Sequence, residues 1–174
     1  MAIAVEAALL PKPKLIRGPL RVACEPIDLA FEPVTRAELV KRLQSKDIYE
    51  QRSAKALLSE LETTGKIRET YPYPVQVIQF GNDLTLILLA GEVVVDYSLR
   101  LKRELGDAPV WVAGYSNDVF AYIPSVRVLK EGGYEGVGAM RYTSLPGPFL
   151  PTVEESIVSK VRELVTRLRS NPVK

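Results

Sequence analysis

The chain has 174 residues, 47% hydrophobic and 25% charged, which fits one compact unit and excludes disorder as a whole-chain description. Basic and acidic side chains nearly balance, 23 against 21, and no basic run interleaves with aromatics, so nothing points to nucleic acid. A single cysteine excludes an internal disulfide framework, and the absence of histidine excludes Ser-His-Asp or Cys-His catalysis by this chain alone.

Residues 1–10 are apolar but short, lack a basic leading region and carry Glu6 in the middle, a poor signal-peptide pattern that reads instead as the end of a helix. No apolar run approaches the roughly 18 residues that a membrane span needs. Pro11, Pro13 and Pro19 keep the following backbone extended. Arg21 to Cys24 reads as a short strand with Cys24 as a buried bystander, and Pro26 and Pro33 predict irregular backbone over 25–34. Thr35-Arg36-Ala37-Glu38 is a capping-box pattern and predicts a helix over about 36–44. Lys46 or Asp47 opens a second helix with Ala54, Leu57, Leu58 and Leu61 at helical spacing, ended by Gly65.

Tyr71-Pro72-Tyr73-Pro74 reads as an extended linker into a strand, with a proline-rich recognition segment as the alternative. Val75–Phe80 and Leu84–Leu89 flank Gly81-Asn82-Asp83, a strong hairpin signal. The second strand is apolar almost throughout, so it is expected to be central and covered on both faces. A helix over about 93–105, closed by Gly106, and a buried strand at 109–113 then make a βαβ unit with parallel strands. The fold class expected is α/β: a mixed sheet in which a β-hairpin feeds a parallel βαβ unit, with helices packed on the sheet. Ser125 caps a short helix to Lys130, residues 132–151 read as a long loop, and Thr152 opens an amphipathic helix with Ile157, Val158, Val161, Leu164, Val165 and Leu168 on one face. The organisation divides into an extended and helical segment at 1–74 and an α/β part at 75–170, forming one structural unit.

Ligand crevices in such sheets lie beyond the carboxyl ends of the strands. Glu92 and the loop Tyr115–Tyr122 fall there. Glu92 is either a functional carboxylate or a charge satisfying the first turn of the helix at 93. Tyr122 and Tyr134 can ligate a metal or donate to an oxyanion, or can simply pack with satisfied hydroxyls. Asn117-Asp118 builds a turn and can hold the loop against Glu92. The glycines around Tyr134 lack the ending of a phosphate loop.

Four features together resemble the neutral/alkaline, non-lysosomal ceramidase family of zinc-dependent amidases. Gly91-Glu92 is similar to the family's Gly-Glu. Asn117 followed five residues later by Tyr122 is similar to its Asn-x4-Tyr. Tyr134-Glu135-Gly136 is similar to its downstream Tyr-Glu-Gly/Ala segment, and the twelve-residue step from Tyr122 to Tyr134 also matches. The resemblance covers roughly 75–170, the C-terminal half of a catalytic domain. It implies Glu92 and Tyr122 as zinc ligands, Tyr134 as the group polarising the scissile carbonyl, and Asn117 and Asp118 as loop support. The family acts on the amide bond of sphingolipids, and its members are often secreted or periplasmic.

The family's histidine ligands and serine nucleophile lie upstream of the glutamate, and Val93-Val94-Val95 stands where it has Phe-Thr-Thr. The resemblance therefore implies a partial site, inactive and poor in zinc binding alone, with an upstream-encoded half as the expected partner. Apolar sheet surface left uncovered by such a half predicts self-association. Two competing expectations stand beside it: a non-catalytic binding module that kept the fold and lost the site, and a generic α/β domain with coincidental motifs.

Overall fold

The computed structural model describes residues 2–106 and 109–170. Its centre is a four-stranded mixed sheet in the order β1-β2-β3-β5, built from β1 (Leu20–Ala30), β2 (Thr70–Phe80), β3 (Leu84–Leu89) and β5 (Val110–Ala113). β1–β2 and β2–β3 are antiparallel and β3–β5 is parallel. The hairpin closes through Gly81-Asn82-Asp83, and α4 (Val95–Leu105) makes the crossover to β5. A two-residue parallel pair, β4 (Glu92–Val93) with β6 (Tyr122–Ile123), sits beside the sheet. This is the expected α/β architecture, with helices packed on the sheet.

β1 is much longer than Arg21–Cys24: strand takes up 25–30 of the stretch expected to be irregular and leaves only its end, 32–34, without regular structure. The Tyr71-Pro72-Tyr73-Pro74 segment is likewise strand, paired with Leu29 to Pro26. The backbone pattern explains why the prolines are tolerated. The Phe31 amide donates to the Glu69 carbonyl at 2.9 Å, which sets the odd-numbered residues of the register as the hydrogen-bonded pairs. Pro26, Pro72 and Pro74 fall on even positions, where a missing N–H costs the β1–β2 ladder nothing.

α7 (Val153–Ser170) lies across β1 and β2, and α4 packs beside it against β5. Ile157, Val158, Val161, Leu164, Val165 and Leu168 are all buried, as their spacing predicts. They meet Tyr73, Val75, Val77, Ile87 and Leu89 from one face of the sheet. Arg100 of α4 reaches Glu154 at 2.9 Å and also pairs with Glu155, so the first turn of α7 is tied to α4. The other face differs from expectation: Val22 is 50% and Trp111 62% exposed, and Leu86 and Leu88 of β3 are only half-buried. Cys24 lies on that open face and is exposed, not buried, because even positions of β1 point away from α7.

A second, smaller core forms where α2 (Arg36–Arg42) meets α3 (Ile48–Thr64), through Leu39, Ala54 and Leu57. The capping box is present: Thr35 Oγ1 accepts from the Glu38 amide at 3.2 Å, and Glu38 accepts from the Thr35 amide at 2.7 Å. Asp47 caps α3, and Gly65 ends it in the left-handed conformation. Residues 132–151 are more ordered than the long loop expected: α6 (Gly133–Gly136) and a 3-10 helix (Gly138–Tyr142) follow α5 (Val126–Glu131). Glycine content disguised these short helices, since glycine weakens the helical signal without forbidding a single turn. α1 (Ala2–Leu9) buries no residue.

Candidate functional site

The site begins where β3 ends. Gly91 turns the chain at φ +69°, and a Cβ there would lie 2.6 Å from the Ala121 carbonyl oxygen. Only glycine lets β3 hand over this closely to the next strand. Glu92 therefore does not open a helix: it belongs to β4, and α4 starts three residues later behind Val94. The alternative of a carboxylate on the first helical turn falls to Asp96 instead.

β4 pairs with β6 in a register that sets Glu92 directly opposite Tyr122. The Glu92 amide donates to Ala121 and the Val94 amide to Ile123, at 2.9 and 3.2 Å. Directly opposed residues project to the same side. The two positions thirty apart in sequence are thus neighbours, and the Tyr134 ring stands edge-on to Tyr122 with centroids 5.4 Å apart.

The loop from β5 is locked to the same turn. The Gly91 amide donates to the Asp118 carbonyl, the Tyr115 amide to the Gly91 carbonyl and the Ser116 amide to the Leu89 carbonyl, at 2.8 to 3.0 Å. The side chains of Asn117 and Asp118 bond to β2 and not to Glu92. The Asn117 amide group donates to Gln76 Oε1 at 3.0 Å, and the Asp118 carboxylate accepts from the Tyr71 hydroxyl at 2.6 Å. Burial, reinforced by Asp118, pushes the Tyr71 phenol up to about 12. Phe120 stacks on Tyr71 at 3.8 Å. Tyr115 and Asn117 both take positive φ, +53° and +67°, a conformation that L-residues adopt at a cost of about 1–2 kcal/mol.

The Glu92 carboxylate lies beside two phenols. It holds Tyr122 up to about 12 and raises Tyr115 as well. The surrounding cleft encloses about 420 Å³ and is lined by Val94, Arg127, Glu131 and Glu135 beside Glu92 and Tyr122. Asp96 fixes the far wall: it accepts from Ser125 at 2.5 Å and from both ends of the Arg127 guanidinium fork at 3.0 Å.

Among the described residues no group of three or more His, Cys, Asp or Glu side chains comes together. Catalytic zinc takes three protein ligands and a water. Glu92 and Tyr122 offer two adjacent oxygen donors, which fits part of such a shell and not a closed one.

Several residues at the site escape the sequence. Tyr115 was legible only as the residue following Gly114, and its left-handed backbone had no signal. Tyr134 continues into a surface row: its ring lies 6.2 Å from Tyr142, which is 4.7 Å from Tyr49 on α3. Ninety-three positions separate Tyr49 from Tyr142, and no local pattern announces such a contact.

No protein-family model matches this chain. A Deinococcus radiodurans protein of uncharacterized function is 30% identical over 104 residues, which are 60% of this chain and 39% of that protein. Among solved structures, a ceramidase complexed with C2 is similar at a TM-score of 0.39 and 20% identity, over 58% of this chain and 16% of that one. The chain thus spans well under half the length of either relative.

Proposed function

We propose that this chain is the C-terminal portion of a zinc-dependent amidohydrolase that cleaves N-acyl amide bonds and depends on groups from an upstream-encoded half. The observation that carries the reading is the opposition of Glu92 and Tyr122 across β4 and β6. The glutamate and tyrosine that the ceramidase resemblance picks out as metal donors are thirty residues apart, yet they share one side of one strand pair. In this reading Glu92 and Tyr122 supply two metal donors. Zinc, when bound, activates water or a nucleophile and polarises the carbonyl. Tyr134 presents a phenol next to Tyr122 for the oxyanion, and the loop at Asn117 and Asp118 keeps Glu92 in place.

The test compares the isolated chain with the chain co-expressed with an upstream fragment carrying the histidines. Zinc content and hydrolysis of N-acyl amides are both measured. Expected are substoichiometric zinc and no turnover for the chain alone, and gain of both on reconstitution. Glu92→Gln and Tyr122→Phe should each remove the reconstituted zinc. Stoichiometric zinc in the isolated chain, or reconstitution indifferent to both substitutions, sinks the proposal.

A second reading, a non-catalytic interaction module on the same fold, draws on the open apolar face of the sheet. It expects a stable complex that never acquires zinc or activity.

A further inference from the structure

The sheet carries an unfinished face. Val22, Ile78, Leu86 and Trp111 are cross-strand partners in one continuous row over all four strands. Leu20 and Cys24 flank that row on β1, with no charged side chain at any of these positions. α7 and α4 occupy the opposite face. Leu20 is 61% exposed, close to the values for Val22 and Trp111.

The same chain carries an unfinished helix. α1 reads Ala-Ile-Ala-Val-Glu-Ala-Ala-Leu, buries nothing, and leaves Ile3 81% and Leu9 76% exposed. An apolar helix about 12 Å long gains nothing from water around it. Its tether limits where it goes. Lys14 pairs with Asp83 at 3.6 Å, and the Arg17 amide donates to the same carboxylate at 2.8 Å, so the segment is anchored at the hairpin turn. Gly18 packs against Gly81 so closely that a Cβ on it would lie 2.6 Å from the Gly81 Cα. Between that anchor and α1, Pro11 and Pro13 hold the backbone extended, which disfavours folding back onto the chain's own sheet.

The surface area agrees. A compact monomer of 19.3 kDa exposes about 8,500 Å². This chain exposes 10646 Å², an excess of roughly 2,000 Å². That is more than the ~800 Å² per partner that a standard stable interface removes.

We propose that two copies of this chain form a closed dimer in which α1 of each copy lies across the open sheet face of the other. Each copy gives one helix and receives one, so a two-fold axis closes the exchange. Trp111 is the central anchor, since large aromatics dominate interface energetics. The proposal uses none of the site residues of the amidase reading, because neither α1 nor this face contains Glu92, Tyr122 or Tyr134.

Sedimentation of the full chain tests it, together with the reaction rate of Cys24 towards a thiol reagent. The wild type should be a dimer at micromolar concentration with Cys24 shielded. Ile3→Glu with Leu9→Glu, and separately Trp111→Glu, change side chains exposed in a single copy and should leave the circular dichroism intact. Each should weaken the dimer by ~100-fold and free Cys24 to react at the rate of an exposed thiol. A wild-type chain that stays monomeric at ~100 µM, a dimer that survives either variant, or open-ended oligomers would each overturn the proposal.

Discussion

The two faces of one sheet have opposite fates. On the α7 face Val77 and Ile87 are fully buried; on the other, their neighbours in the same strands, Ile78 and Leu86, keep part of their surface in water. The strand sequences give no reason for the difference, since both sets are apolar. What separates them is that the described residues make an amphipathic helix long enough to cover one face and nothing that covers the other. Hydrophobicity in a strand therefore reports that a face wants to be covered; whether it is covered depends on elements distant in sequence.

The sharpest break in that comparison is a pair of truncations. Leu164→Ala on α7 opens a cavity under a fully buried position and should cost about 2–5 kcal/mol. Val22→Ala on the open face should cost under about 0.5 kcal/mol in dilute solution. Urea midpoints at low protein concentration measure both, and equal losses would erase the distinction between the faces.

The turn into the site comes next. Gly91→Ala places a methyl against the Ala121 carbonyl at a positive φ and should cost about 2–3 kcal/mol. Gly65→Ala meets only the backbone penalty of a positive φ, with nothing within 4 Å, and should cost about 1 kcal/mol. Hydrogen exchange separates the two further: only Gly91→Ala should deprotect the Glu92 and Val94 amides.

The smallest effect concerns the wall between α4 and α5. Arg127, and then Ser125, hold the Asp96 carboxyl below its ordinary value. A depressed folded pKa adds stability that is present above the unfolded value near 4 and is lost as pH falls through the folded one. The gap between wild type and Asp96→Asn should therefore be about 1 kcal/mol at neutral pH and should close in acid below pH ~4. A gap that widens on acidification would contradict the assignment.

Much of this was legible residue by residue. The hairpin around Gly81, the capping box at Thr35, the parallel step from β3 to β5 and the buried stripe of α7 all follow from local periodicity and turn chemistry. The long β1 was not legible, because prolines at 26, 72 and 74 signal a break unless their place in the hydrogen-bond alternation is known. Cys24 escapes for a related reason: its neighbours are apolar, but its parity on an edge strand turns it outward. At the site, Glu92, Tyr122 and Tyr134 could be named from the sequence. That Glu92 sits in a strand opposite Tyr122, with Tyr115 pressed beside it, could not.

The sequence by itself determined the hairpin, the main helices, the strand-helix-strand step that follows them and the short list of groups able to do chemistry, because those depend on neighbours a few residues apart. It also fixed what is missing, since no fold can supply a histidine that the chain does not contain. Tertiary structure alone decided that Glu92 and Tyr122 face each other, since strand register is a contact between distant segments. It decided as well which face of the sheet is closed and which stays open, because burial is set by the elements that pack on a strand and not by the strand's own residues.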